Sequence, residues 1–87
     1  MTDYDSKIFK QWRKERNKAA KSYDIDKFRE FYEKWTNKGF YQMPLPSDDR
    51  VIEITMRKIV YNIQSSTLQE KRDAKVWLLA HGCDTLI

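Results

Sequence analysis

The sequence predicts an all-α fold, a compact single domain of about four helices. Apolar residues recur at the three- and four-residue spacing of a helix in four separate segments. Capping and turn residues separate these segments, and no segment shows the alternation expected of a strand face. The 87 residues are 40% hydrophobic and 14% aromatic, which suffices for one small core filled by large rings.

The predicted domain covers residues 1–87, with helices at about 5–23, 25–38, 48–63 and 67–81. The first helix is amphipathic, and its apolar side consists of Ile8, Phe9, Trp12, Ala19, Ala20 and Tyr23. The second helix has a comparable side made of Ile25, Phe28, Phe31, Tyr32 and Trp35. The link between them, YDID, is so short that the two helices are expected to form a hairpin or a sharp bend.

The expected helix ends depend on residues that satisfy free backbone groups. Asp24 is a candidate N-cap for the second helix, and Gly39 is expected to stop that helix in a left-handed conformation. Ser47 is a candidate N-cap for the third helix, and the two acidic residues after it suit the positive end of the helix dipole. The fourth helix is expected to end at Gly82. Its start is expected at a capping box, either Ser66 with Gln69 or Thr67 with Glu70.

The third segment, RVIEITMRKIVYNI, is rich in β-branched residues, which favour strands. Its apolar residues nevertheless follow helical spacing, and the run is long for a strand, so we expect a helix. The residues expected to be largely buried in the whole domain are Trp12, Phe28, Trp35, Ile52, Met56, Ile59 and Trp77.

The connector before the third helix, NKGFYQMPLPSDDR, contains both prolines of the chain and is unusually apolar for a loop. Leu45 is expected to pack on the first turns of the third helix, as an apolar residue before an N-cap often does. At least one of Phe40 and Tyr41 is expected to cover the core, and the other apolar side chains remain available to a partner.

The only histidine and the only cysteine, His81 and Cys83, lie close together in AHGCD. Residues two apart in sequence rarely converge as base and thiolate, and the glycine between them is explained as a helix end. The sequence also lacks zinc-ligand spacing, a P-loop and a dinucleotide-binding fingerprint. We therefore predict no catalytic residue, no metal ligand, no cofactor and no enzymatic activity.

A single cysteine excludes an internal disulfide, and no apolar run approaches the ~20 residues of a membrane span. The opening MTDYDSKIFK contains no apolar targeting segment. We expect a cytoplasmic protein without a membrane partner, and the sequence leaves the oligomeric state open.

Basic residues are concentrated in the first predicted helix of a chain whose net charge is +4. Five lysines lie within about 80° of arc opposite the apolar side of that helix. These candidates for nucleic-acid binding are Lys7, Lys10, Lys14, Lys18 and Lys21. Such a row suits a phosphate backbone without sequence preference, an acidic protein surface, or simply a solvated helix face. Arg16 projects onto the apolar side, where it is expected to snorkel or to pair with a carboxylate.

A second row lies on the third predicted helix, where Arg50, Ile54, Arg57 and Tyr61 fall within about 60° of one another. Arginine and tyrosine are enriched at the centres of protein interfaces, so this row is a candidate protein-binding surface. The connector residues Phe40 and Tyr41 are candidates to extend it. The alternative is that the third helix is central, with both faces covered and the arginine stems packed flat.

The stretches DKFREFYEKW, GFYQMPLPSDDRVIEI and KRDAKVWLLAHGCD resemble small proteins encoded by phages and mobile elements of Gram-positive bacteria. The resemblance implies a short accessory protein that binds a host or phage macromolecule. Inhibitors of bacterial defence nucleases, anti-CRISPR proteins among them, belong to this group. The leading hypothesis is therefore a non-enzymatic counter-defence protein that binds a host defence or nucleic-acid-processing protein complex. The alternative hypothesis is a nucleic-acid-binding protein that uses its basic first helix and has no sequence preference.

Overall fold

The computed structural model describes residues 3–85, and within that range the chain forms four α-helices and no strand. The helices are α1 (Asp3–Ser22), α2 (Ile25–Asn37), α3 (Asp49–Asn62) and α4 (Leu68–Ala80). The predicted all-α class is confirmed, and the β-branched third segment is helical. Each helix begins and ends within two residues of the predicted position.

Most of the predicted helix caps are present in the structure. The Asp24 carboxylate accepts hydrogen bonds from the first amides of α2, and a Thr67–Glu70 capping box begins α4. Gly82 follows α4 with a positive φ of 73°. The predicted Ser47 cap was wrong, because Asp48 is the residue whose carboxylate accepts from the Arg50 amide, at 2.9 Å. Asp48 has the extended backbone that an N-cap requires, whereas Ser47 still belongs to the connector.

The core lies around α3, whose backbone packs against each of the other three helices, whereas the backbone of α4 packs against α3 alone. Five of the seven residues expected to be largely buried are buried. Trp12 and Trp77 are only half-buried, because each indole lies at the margin of the core against another ring. The largest of the fully buried side chains are Phe28, Trp35, Ile52, Met56, Val60 and Leu78.

The apolar connector is explained first by the way α2 ends. Gly39 has a positive φ of 86°, and the amides of Gly39 and Phe40 donate to the carbonyls of Thr36 and Trp35, each at 3.0 Å. This pair of backbone hydrogen bonds brings the residue after the glycine back over the last turn of the helix. The Phe40 ring consequently packs edge-on against Trp35, with 4.7 Å between ring centroids.

Tyr41 continues the same cover across the α1–α2 pair. Its ring stacks on Tyr32 at 3.9 Å, and its hydroxyl accepts a hydrogen bond from the Trp12 indole at 3.2 Å. Leu45 also packs against the core, while Met43 is 75% exposed. The connector is apolar because most of its large side chains close the end of the core.

Candidate functional site

The predicted protein-binding row on α3 is largely covered by the rest of the protein. Arg50 is exposed, but Ile54, Arg57 and Tyr61 are half-buried, and Tyr61 packs against the core cluster. The central position of α3 explains this cover, because α3 packs against all three other helices and Trp77 of α4 lies against Arg57. The structure therefore agrees with the alternative in which the third helix has both faces covered.

Arg57 is held between two aromatic rings. Its guanidinium carbon lies 3.8 Å from the ring centre of Tyr23 and 5.1 Å from that of Trp77. Trp77 in turn stacks on the His81 imidazole at 3.9 Å, so four side chains form one column. The Arg57 Nε atom is buried without a hydrogen-bond acceptor among the described residues. Arg57 thus connects Tyr23, the residue after α1, with the C-terminal part of α4.

Tyr23 adopts a backbone conformation that is unusual for a bulky residue, with a φ of 53°. Such strain persists only where surrounding contacts compensate for it, and the stack on Arg57 is the contact present here. Burial raises the pKa of the Tyr23 hydroxyl, and the charge of Arg57 opposes that shift. The column is therefore a structural joint of the fold.

Phe40 and Tyr41 do not extend the α3 row. Their ring contacts are with Trp12, Trp35 and Tyr32 on α1 and α2, whereas the aromatic contacts of Arg57 are with Tyr23 and Trp77. The sequence correctly connected Phe40 and Tyr41 with the core, but the structure does not bring them together with Arg57.

Four members of the lysine row are exposed on α1, namely Lys7, Lys10, Lys14 and Lys18. Within residues 7–85, none of these four forms an ion pair. Lys21 differs, because its ammonium donates to the Ser65 carbonyl at 2.9 Å and lies 3.5 Å from the Glu70 carboxylate. Among the described residues, the lysine row therefore contains four exposed lysines without an ion pair.

Glu15, the one acid among these lysines, turns toward α2 and leaves their charge uncompensated. Its carboxylate accepts from Lys34 at 2.9 Å and from the Trp35 indole at 3.2 Å. Burial opposes ionisation of this group, but hydrogen bonds from Lys34, Gln11 and Trp35 outweigh it and hold the pKa of Glu15 below its usual value.

A polar cleft of about 610 Å³ flanks the lysine row, between α1 and the turn after α3. Arg16 lies in it with its guanidinium 4.9 Å from the Trp12 ring centre and hydrogen-bonded to the Asn17 side chain. Arg16 was expected to snorkel or to pair with a carboxylate from another helix; among residues 7–85 its partners are an aromatic face and an amide, and no carboxylate. Burial lowers its pKa, and the nearby charge of Arg13 adds to that shift. The residues that line the cleft are Arg13, Arg16, Asn17, Asn62, Ile63, Gln64 and Ser65.

The outer face of α4 carries apolar side chains that no other helix covers. Leu68 is 85% exposed, Val76 62% and Leu79 58%. The spacing of these residues places them on one side of the helix, together with the exposed cations Arg72 and Lys75. We call these five residues the α4 outer face. The sequence analysis did not identify the α4 outer face. The available signal was that α4 has apolar residues around its whole circumference, so some of them had to be exposed.

A shallow cleft of about 470 Å³ adjoins the α4 outer face. Three basic residues contribute to it, and no carboxylate is among the lining side chains. The lining residues are Tyr61, Asn62, Lys71, Arg72 and Lys75. Tyr61, a candidate from the α3 row, is therefore brought next to the basic residues of α4.

His81 and Cys83 occupy the end of α4 and do not form a nucleophile–base pair. The Cys83 and Gly82 amides donate to the carbonyls of Leu78 and Leu79, at 2.9 and 3.1 Å, which closes the helix. The His81 Nδ1 atom bonds to the Trp77 carbonyl at 2.8 Å, and the cysteine thiol points to the His81 carbonyl. Within the described residues, no group of His, Cys, Asp and Glu side chains is arranged to hold a metal ion.

The chain matches no protein-family model, no curated protein and no solved structure. Among residues 3–85, no helix has both the length and the apolar character that crossing a bilayer requires. Two exposed surfaces are candidates for function, the α4 outer face and the lysine row of α1.

Proposed function

We propose that this is a non-enzymatic protein-binding accessory protein, and that the α4 outer face binds an acidic amphipathic helix of its partner. The observation that carries this proposal is the exposure of three large aliphatic side chains on one side of one helix. A single exposed leucine is ordinary on a protein surface, whereas a contiguous apolar patch is typical of an interaction site.

The geometry suits a helical partner. From Leu68 to Leu79 the apolar stripe extends about 17 Å along α4, at the rise of a regular helix. A second helix laid along this stripe can place its own apolar residues at three- and four-residue intervals against it. Full burial of a leucine or valine contributes roughly 1.5–3 kcal/mol. Three such residues, each more than half exposed, therefore provide substantial binding energy.

The charges beside the stripe favour an acidic partner. Arg72 and Lys75 lie on the α4 outer face, and Lys71 lines the adjoining cleft. Acidic residues at the rim of the partner helix would complement these cations and guide its approach. A second copy of this chain is disfavoured, since a two-fold contact would oppose Arg72 and Lys75 of each copy to like charges.

The resemblance to phage and mobile-element proteins supplies the biological context of the proposal. In that context the protein acts in the cytoplasm as a counter-defence inhibitor that occupies a surface of a host defence or nucleic-acid-processing complex. Such an inhibitor works stoichiometrically and needs no catalytic residue, metal or cofactor.

The test compares the double variant Val76→Gln with Leu79→Gln against a matched control, Met43→Gln with Val51→Gln. Both variants remove exposed aliphatic side chains, but only the first lies on the α4 outer face. Partners are captured from nuclease-treated lysate of a Gram-positive host, the contact is mapped by cross-linking, and an acidic helical peptide from the mapped region is titrated.

We expect the peptide to bind the wild type and the control alike, and the α4 variant more than about tenfold more weakly. Equal binding by the α4 variant, or a cross-linked contact that lacks acidic residues, would overturn the proposal. Self-association of the purified wild type that Val76→Gln with Leu79→Gln abolishes would also overturn it, in favour of a second copy.

A further inference from the structure

We infer a second interaction surface, on α1, that binds the phosphate backbone of nucleic acid without sequence preference. It consists of the lysine row Lys7, Lys10, Lys14 and Lys18 with Arg13 beside it. This inference goes beyond the protein-binding role of α4, since it involves a different helix and a different chemical class of partner.

Among residues 7–85, no carboxylate pairs with the lysines of this surface. The ion pairs of the fold engage other cations, as in Lys34 with Glu15, Lys58 with Asp84 and Arg29 with Asp49. A solvated helix face normally intersperses both signs of charge. Along α1, by contrast, the exposed lysines meet no carboxylate within residues 7–85. A surface of one sign attracts a polyanion.

The shape of the row fits a single strand of backbone. Lys7 and Lys18 are eleven residues apart, which corresponds to about 17 Å along the helix axis. Phosphates of one strand of a duplex recur at about 3.4 Å along its axis, so the row can lie beside roughly five of them. A straight row of lysines contacts phosphates as point charges and reaches no base edge, so no sequence is read.

The composition of the surface distinguishes nucleic acid from an acidic protein. Within residues 7–18 of α1, the other side chains on the side of the lysines are Gln11 and Asn17, and neither is apolar. Stable protein interfaces have an apolar or aromatic centre, which the α4 outer face provides and this surface lacks. Phosphate binding, by contrast, is driven by the release of counterions and needs no apolar centre.

The polar cleft beside the row offers a more specific phosphate contact. Two arginines, Arg13 and Arg16, share this cleft, and no carboxylate of residues 7–85 lines it. The guanidinium of Arg16 is already oriented by the Trp12 ring and the Asn17 amide, so it loses little freedom on binding. An anion in the cleft would relieve the repulsion between the two arginines. We therefore assign to the cleft one phosphate of the same backbone, with Arg13 as its exposed ligand.

The test is a titration of labelled single-stranded and duplex DNA of mixed sequence, followed by fluorescence anisotropy between about 50 and 300 mM salt. The variant is Lys10→Gln with Lys14→Gln, and the matched control is Lys27→Gln with Lys38→Gln. Both pairs remove two exposed lysine charges, but the control pair lies on and after α2. A third variant, Arg13→Gln, tests the cleft separately.

We expect the α1 pair to weaken binding by about tenfold and to lower the salt slope by about 2, since each phosphate contact contributes roughly 0.7–0.9. The control pair should change binding by less than about threefold, and a scrambled sequence should bind equally. The form of DNA that binds more tightly, single-stranded or duplex, identifies the form of nucleic acid that the surface prefers.

Failure of both DNA arms at about 50 mM salt, or an equal loss in the control pair, would overturn the inference. Strong preference for one sequence would overturn it as well. The variant Val76→Gln with Leu79→Gln should bind DNA like the wild type, so the outcome here is independent of the outcome for the α4 outer face.

Discussion

Removal of the Arg57 side chain tests whether the aromatic column is a joint of the fold. Contacts between a guanidinium and an aromatic face contribute about 0.5–1 kcal/mol when exposed and about 2 kcal/mol when desolvated. Arg57 is half-buried and lies on two such faces, at 3.8 and 5.1 Å, so the two contacts together contribute about 1–3 kcal/mol.

One feature of the same side chain reduces the expected effect. The Nε atom of Arg57 is buried and has no acceptor among the described residues, and burial of such a donor costs about 1 kcal/mol or more. The variant Arg57→Ala removes that cost together with the contacts. We therefore expect a net loss of up to about 2 kcal/mol in the free energy of unfolding. For a domain of this size that corresponds to a melting temperature up to about 16 °C lower.

The assay is a double-mutant cycle of Arg57→Ala and Trp77→Leu, followed by circular dichroism during urea and thermal unfolding. The two changes should be less than additive by about 0.5–1.5 kcal/mol, because each removes the same contact. Arg50→Ala is the control, since Arg50 is an exposed arginine on the same helix and should shift stability by less than about 0.5 kcal/mol.

An Arg57→Ala variant as stable as the wild type, with effects that add to those of Trp77→Leu, would refute the structural role. Arg57 would then be available as an interface residue, as the sequence alone suggested.

Two further predictions concern stability. Glu15 has a lowered pKa in the folded state, so it binds fewer protons there than in the unfolded chain. Its contribution is present above the ordinary glutamate range near pH ~4.3 and is lost as the pH falls through the folded-state value. The stability gap between wild type and Glu15→Gln should therefore narrow between about pH 5 and pH 3, and a constant gap in urea midpoints would contradict this. Gly39→Ala should lower the free energy of unfolding by about 1–2 kcal/mol. The backbone φ of 86° is the only cause expected, because no atom would lie within 4 Å of the added Cβ. An unchanged thermal midpoint would show that the turn relaxes.

The local rules of helix formation account for most of the fold. Asp24, Gly39, Thr67 and Gly82 each act through backbone groups a few residues away, so their roles are readable from the sequence. The choice between Ser47 and Asp48 as N-cap was less accessible, because both residues suit that position. Asp48 is the one whose carboxylate bonds to the Arg50 amide, and Arg29 binds the Ser47 carbonyl within the connector.

The candidate site was less accessible from the sequence, because exposure depends on which helices meet. Periodicity placed Arg57 opposite the core side of α3, and it could not show that Trp77 of α4 and Tyr23 would enclose it. Leu79 shows the reverse case. Leu79 follows Leu78 directly in the sequence. Leu78 is buried and Leu79 is exposed because of the way α4 packs against α3, which the sequence pattern does not show.

The two proposed surfaces differ in how they would respond to salt, and this difference bears on how they would act together. Counterion release makes the lysine row strongly salt-dependent, whereas burial of Val76 and Leu79 depends little on ionic strength. The surfaces lie on α1 and α4, whose backbones do not pack against each other among residues 3–85. On a partner that itself carries nucleic acid, contact at one surface would raise the effective concentration of the other. Under both proposals together, the lysines would speed the first encounter and the apolar stripe of α4 would slow dissociation.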